Sequence, residues 1–214
     1  MKCIIADDHG MLRAGLRELL KSIDSDLVIN EVDNFTSLYE NLFQEPDTDL
    51  VLLDLIIPGI TGLEGLTKIK QTWPAIAVVM VSSSEDPTLI RSAIAGGASG
   101  YVPKSTPVEL LPSAFQLILA GGVYVPPLAL HPSNSEKNYP QTYHAAGQKP
   151  SSILTPKQQR ILGYIAEGFS NKEIAIQLDL AEQTVKNETS RIFKALGVTN
   201  RAMAAATLTA AERD

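Results

Sequence analysis

Through the first 120 of its 214 residues the chain alternates short apolar runs, "CIIA", "LVINEV", "LVLLD", "VVMVS" and "GYV", with amphipathic stretches at residues 11–23, 35–44, 63–73, 88–95 and 108–120. That alternation leaves few folds open. Strands joined through helices run parallel, and runs apolar at nearly every position are buried on both faces, so residues 1–122 predict a doubly wound five-stranded parallel sheet of the α/β class. Helix starts agree with this reading. Thr61-x-x-Glu64 and Thr106-Pro107-x-Glu109 have the capping-box form, and Asp86-Pro87 offers a third start.

Residues 123–152 change texture, with "PPLALHPSNSEKNYPQTYHAAGQKPSS" rich in Pro, Ser, Asn and Gln and without apolar period, which predicts a flexible linker. Beyond it, residues 153–214 show capped helix starts at Thr155-Pro156-Lys157-Gln158 and Ser170-Asn171-Lys172-Glu173 and no strand pattern, so a small all-helical domain is expected. Charge divides along the same line. Residues 1–125 hold 8 Lys and Arg against 16 Asp and Glu, whereas residues 151–214 hold 8 against 7. The acidic part is a poor match for nucleic acid; the helical part is nearly balanced. The single cysteine, Cys3, excludes an intrachain disulfide. With acids interrupting the first apolar run too early for a signal peptide and no run of ~18 apolar residues, a cytoplasmic protein without a membrane segment is expected.

Asp54 closes the most apolar of the runs, "LVLLD", and Asp7 and Asp8 follow "CIIA". An unpaired carboxylate in an apolar interior costs several kcal/mol, so these acids stand at strand ends, where open parallel sheets place their sites. If the first and third runs are neighbours, the three acids share one pocket and repel one another unless a cation joins them. An all-oxygen donor set suits Mg²⁺ best, with Mn²⁺ or Ca²⁺ left open. Ser82 ends the fourth run and Lys104 follows the fifth. A carboxylate nucleophile, a divalent cation, a hydroxyl and an ammonium together are what an aspartyl-phosphate intermediate requires, with Asp54 as acceptor.

On the helix Glu182–Leu196, at ~100° per residue from Lys186, Val185, Thr189, Ile192, Phe193 and Leu196 fall at roughly 240–340°, an apolar stripe. Gln183, Lys186, Asn187, Ser190 and Lys194 fall within roughly 0–100°, a polar face suited to base edges and phosphates. A short helix at 172–178 and a tight turn precede it, the order of a helix-turn-helix.

The words "ADDHGMLRAGLRELL", "LVLLDLIIPGITGLEGL" and "VVMVSSSEDPTLIRSAIAGGASGYVPK" resemble the receiver domain of bacterial two-component response regulators of the NarL/FixJ type. "LTPKQ", "GFSNKEIA", "TVKN" and "LGVTNRAMA" are similar to the LuxR-type (GerE) DNA-binding domain. The resemblance implies a CheY-like (flavodoxin-like) receiver phosphorylated on Asp54 by a sensor histidine kinase, with Mg²⁺ or Mn²⁺ held by Asp8, Asp54 and the Ile56 carbonyl and Asp7 in support. It implies Lys104 paired with the phosphoryl group, and Ser82 and Tyr101 as the switch. It further implies Lys186, Asn187 and Ser190 in the major groove, Arg191 and Lys194 near phosphates, and Gln183 and Thr184 alongside. Double-stranded DNA and a second copy of the chain on activation are the implied partners. Such a protein is not a dedicated enzyme, although it loses its phosphoryl group slowly. Three departures stand out: Ser105 where relatives often carry proline, Glu188 where they commonly carry histidine, and Ala181, which offers no side-chain cap.

Rival readings keep the switch but give the helical domain a protein partner, or make transcriptional control independent of phosphorylation. A phosphohydrolase of the haloacid-dehalogenase kind needs a second Asp two residues after the nucleophile, where this chain has Ile56. His9, His131 and His144 lack ligand spacing and are read as having no role.

Overall fold

The computed structural model describes residues 1–130 and 153–211. The first domain is built on β1 (Lys2–Ala6), β2 (Val28–Val32), β3 (Leu50–Asp54), β6 (Ala77–Ser82) and β7 (Gly100–Pro103), which form one all-parallel sheet in the order β2-β1-β3-β6-β7. A two-residue hairpin, β4 (Ile56–Ile57) with β5 (Ile60–Thr61), follows the central strand. Helices α1 (Gly10–Ile23), α2 (Phe35–Gln44), α3 (Gly62–Thr72) and α4 (Pro87–Ala95) connect the strands, and α5 (Leu111–Leu119) follows β7.

Strand periodicity of two sorts the apolar residues between two cores. In β3, Leu50 and Leu52 join Cys3, Ile5, Val79 and Val81 on the face covered by α1 and α5, through Leu16, Leu20, Phe115 and Ile118. Val51 and Leu53 join Ile4, Ala6, Val78 and Met80 on the other face, with Leu38, Leu42, Leu66, Ile69 and Ile90 of α2, α3 and α4. Both faces of β3 are thereby sealed, and only its terminal Asp54 carries charge.

Capping follows the sequence at Thr61, whose side chain exchanges hydrogen bonds with Glu64 in a capping box, and at Asp86, which caps the Thr88 amide. The expected box at Thr106 does not form. Val108–Leu110 is a single 3₁₀ turn entered from Pro107, and α5 begins at Leu111. Pro112 explains the shift, because a proline without an amide proton fits a helix only in its first turn.

The second domain comprises α6 (Pro156–Ala166), α7 (Asn171–Leu178), α8 (Glu182–Leu196) and α9 (Arg201–Ala211) around a core of Ile161, Leu162, Ile165, Ile174, Val185, Ile192, Phe193 and Ala204. Capping boxes start α6 at Thr155 and α7 at Ser170; Ala181 leaves α8 without one. The stripe expected to be buried on α8, including Thr189, is buried throughout. Of the stretch expected as linker, residues 123–130 lie against the first domain: Tyr124 bridges to Gly100, and Ala129 is buried. Residues 131–152, with His131 and His144, lie outside the described residues.

Candidate functional site

Register brings the acids together. Ala6 of β1 pairs with Leu53 of β3, so Asp7 and Asp8 emerge beside Asp54, at the point where strand order reverses between β1 and β3. Asp7 and Asp54 are buried, while Asp8 and His9 are exposed at the rim. Lys104, delivered by the end of β7, places its Nζ 2.8 Å from Asp7 Oδ2 and 2.9 Å from Asp54 Oδ2, a single ammonium bridging two buried carboxylates. The remaining Asp54 oxygen accepts from the Ile56 amide at 3.3 Å. Gly62 is required here by close approach, because a Cβ would stand 2.7 Å from the Asp54 carbonyl oxygen and 2.6 Å from Leu55 Cα.

The bridge leaves the two acids unequal. Burial pushes both carboxyl groups up; at Asp7 the hydrogen bonds from Lys104 and from the His9 amide outweigh burial and hold it below the usual range. At Asp54, burial and then the neighbouring Asp7 charge outweigh the Lys104 contact, and its carboxyl is raised. Burial alone would lower Lys104, yet its two carboxylate partners raise it. Asp54 is therefore the more basic of the two acids.

The donor set fits a hard divalent cation. One ligand atom from each of Asp7, Asp8, His9 and Asp54 lies within 4.8 Å of the others, and three of the four are carboxylate oxygens. His9, which sequence reasoning set aside, belongs to this cluster: its amide donates to Asp7 Oδ1 at 2.8 Å, and its Nδ1 lies 3.0 Å from Asp7 Oδ1 and 2.6 Å from Asp8 Oδ1. Its position directly after two acids was the available signal.

Ser82 is buried, and its Oγ accepts from the Ser84 amide at 3.0 Å. Tyr101 is fully buried, with its hydroxyl donating to the Ser84 carbonyl at 2.9 Å. Both expected switch residues thus hold the same short loop. Ile56 exposes its side chain beside the acceptor. Among the described residues every peptide bond is trans, including Lys104–Ser105.

On α8 the face expected to read DNA is turned toward the first domain. Lys186 Nζ lies 2.8 Å from Asp49 Oδ1 and donates to the Asp47 carbonyl at 3.2 Å, with Glu182 at 3.5 Å on its own helix. Asn187, Ser190 and Lys194 line the cleft between the domains; Gln183, which donates to Asn187 at 3.2 Å, is exposed, and Thr184 is half-buried. Arg191 points elsewhere and pairs with Glu188 at 2.8 Å. The turn before α9 seats against Gly97, whose φ of +96° and whose missing Cβ, 2.5 Å from Thr199 Oγ1, both require glycine. The domains meet through the Lys186–Asp49 ion pair and a few close contacts around a cleft of about 640 Å³. Among the described residues no helix is long and apolar enough to cross a membrane.

Lys70, also on this cleft, is buried, and its ammonium donates to the Pro74 carbonyl at 3.3 Å and the Ile76 carbonyl at 2.5 Å. Burial pushes its pKa down to about 7 from 10.5. Between those values the unfolded chain holds a proton that the folded chain lacks, so stability rises with pH across that window. Urea unfolding of the first domain at pH 7.5 and 9 is expected to show wild type gaining stability over Lys70→Met by about 1.4 kcal/mol per pH unit. Parallel pH profiles would show that Lys70 stays protonated on folding.

The family described as "Response regulator receiver domain" matches residues 3–116, and "Bacterial regulatory proteins, luxR family" matches residues 152–208. The glycerol metabolism activator of Pseudomonas putida is 38% identical over 205 residues, covering 95% of this chain and 92% of that protein. The nitrate/nitrite response regulator NarL of Escherichia coli (strain K12) is 34% identical over 203 residues, covering 94% and 92%. Among solved structures, the Salmonella typhimurium RcsB response regulator matches with a TM-score of 0.56 at 25% identity, covering 98% of each chain. A structure described as two RcsB dimers bound to two parallel DNAs matches equally, with a TM-score of 0.56, 25% identity and 98% of each chain.

Proposed function

We propose, from the premise that this chain belongs to the two-component response regulators joining a receiver domain to a LuxR-family DNA-binding domain, that phosphorylation of Asp54 governs its access to DNA. The carrying observation is the Lys104 ammonium bridging Asp7 and Asp54 at one sheet edge, with Ser82 beside them.

A carboxylate oxygen of Asp54 attacks the phosphorus of a phosphohistidine on a sensor kinase. The O–P bond forms as the N–P bond breaks, and the imidazole leaves with the electron pair. Mg²⁺, held by Asp8, Asp54 and the Ile56 carbonyl with Asp7 in support, would neutralise charge on the phosphoryl oxygens. Lys104 stands where it can turn from the carboxylates to a phosphoryl oxygen. Ser82 donates to another oxygen, which draws its hydroxyl away from the Ser84 amide. The loop at 82–84 then shifts, and the Tyr101 hydroxyl bound to the same loop shifts with it.

The same equilibrium sets the output. In the closed arrangement Lys186 is held by Asp49 and the Asp47 carbonyl, so the lysine of the face that would read bases in the major groove is engaged elsewhere. Phosphorylation shifts the population toward an open state in which Lys186, Asn187 and Ser190 enter the groove, with Gln183 and Thr184 alongside, Lys194 near phosphates and Arg191 on the backbone side but tied to Glu188. Two copies then pair. Ala202 and Ala206, exposed one turn apart on α9, offer the close-packing stripe for that contact. The regulator acts in the cytoplasm.

Intact mass after incubation with Mg²⁺ and acetyl phosphate tests the acceptor. One phosphoryl adduct is expected on the wild-type chain and none on Asp54→Ala; an adduct on the variant, or none on either, would refute it.

A further inference from the structure

Glu188 is largely shielded, 13% exposed at its side chain, and both of its carboxylate oxygens are occupied. Oε1 accepts from Arg191 Nη1 at 2.8 Å, and Oε2 accepts from Gln158 Nε2 at 2.9 Å. Gln158 cannot turn away, because its other amide atom accepts from the Thr155 amide at 3.0 Å in the α6 capping box. Glu188 is thus fixed from α6, and it fixes Arg191 in turn. The Arg191 side chain is 69% exposed, and Glu188 is its only charged partner among the described residues.

Arg191, Lys186 and Lys194 are the three cations of α8, in a domain region where 8 basic residues face 7 acidic ones. With so little net charge, each phosphate contact is a large share of sequence-independent affinity. Base-reading and phosphate-reading residues are separable on this helix: among the described residues the Glu188 carboxylate bonds to Gln158 and Arg191 and not to Lys186, Asn187 or Ser190.

We propose that Glu188 is a specificity-determining residue that withholds Arg191 from the DNA backbone. It holds down sequence-independent binding while leaving the base-reading face intact. This rests on the reading of α8 as the DNA-binding helix. The carboxylate competes with a phosphate for one guanidinium group. Because α6 holds the carboxylate in place, Arg191 does not swing free to a phosphate as an exposed arginine would.

The test is the salt dependence of binding to a random-sequence duplex by the full chain phosphorylated with acetyl phosphate at fixed Mg²⁺, the adduct checked by intact mass, for wild type, Glu188→Gln, Arg191→Ala and the double variant, each checked for folding by thermal melting. Glutamine keeps the size and one acceptor oxygen but removes the charge. The slope of log K against log salt is expected to steepen by about 0.9 in Glu188→Gln, one added phosphate contact, with affinity at low salt rising several-fold. Arg191→Ala alone is expected to leave the slope of wild type, and in the Glu188→Gln background to abolish the gain. An unchanged slope in Glu188→Gln, or a slope already shallower by about 0.9 in Arg191→Ala alone, would overturn the proposal. A role confined to bracing α6 against α8 would lower the melting temperature without steepening the slope. Absence of salt-dependent binding by wild type would instead remove the DNA-binding reading, and this inference with it.

Discussion

Asp49→Asn is expected to raise the DNA affinity of the unphosphorylated protein by about tenfold, close to 1.4 kcal/mol in the closed-to-open balance. Lys186 and Asp49 are each about 15% exposed, 16% and 15% at their side chains, so their pairing is less screened than a surface ion pair. Removing one partner of a fully buried pair costs ~3–5 kcal/mol; the smaller figure applies because the pair is partly exposed and Lys186 keeps the Asp47 carbonyl and Glu182. Asparagine retains an acceptor for the Lys2 amide, which Asp49 Oδ2 binds at 2.8 Å, so the edge of the sheet is preserved. Fluorescence anisotropy on one duplex at one salt concentration gives the comparison. The gain should shrink once Asp54 is phosphorylated, because the open state is then populated in both proteins. Equal affinities without phosphorylation would show that the Lys186–Asp49 pair does not restrain the domain.

Lys104→Met is expected to be the most damaging single change in the first domain. It leaves Asp7 and Asp54, buried and 2% and 4% exposed at their side chains, with no ammonium between them. Lys104 is itself 20% exposed, so a loss of about 2–3 kcal/mol is expected rather than the full cost of an orphaned buried charge. For a domain of this size that is a fall of roughly 10 °C in melting temperature. Without the ammonium both folded carboxyl groups rise above their unfolded values, so stability falls as pH rises through that range and the deficit is smallest in acid. Mg²⁺ should restore much of the loss, since a divalent cation among Asp7, Asp8 and Asp54 replaces the missing charge. Thermal melts in EDTA and in excess Mg²⁺, at pH 5 and 7.5, measure both effects. Equal melting temperatures for wild type and variant in EDTA at pH 7.5 would contradict this account.

What could be read from sequence was what local chemistry decides. The alternation of apolar runs and helical stretches specified the sheet and both of its covers, because strand and helix periods differ. The capping boxes at Thr61, Thr155 and Ser170 needed only four residues each, and all three form. At Thr106 the same signal failed, since Pro112, six residues on, determines where α5 starts. The acid pocket was legible because each member ends a strand, and a parallel sheet gathers strand ends along one edge.

Contacts between distant segments left no such trace. Lys186 and the Asp47 carbonyl meet across 139 residues, and nothing near either of them announces the pairing. Nothing in the sequence around Lys70 marks it as buried; its place depends on the Pro74 and Ile76 carbonyls that receive its ammonium. Glu188 could be placed off the base-reading arc from the helical wheel, but its tie to Gln158 depends on how α6 crosses α8.

The pairing of Lys186 with Asp49 also bears on how such a regulator finds its target. A bacterial chromosome offers on the order of 10⁶ or more nonspecific sites, each a weak competitor for any exposed basic helix. On the proposed reading, a molecule whose Lys186 is already satisfied by Asp49 is drawn to such sites about tenfold less than one whose lysine is free. Each activation event then releases a searcher that has not been titrated onto the genome beforehand. On that reading, fewer wrong sites have to be vacated between stimulus and response.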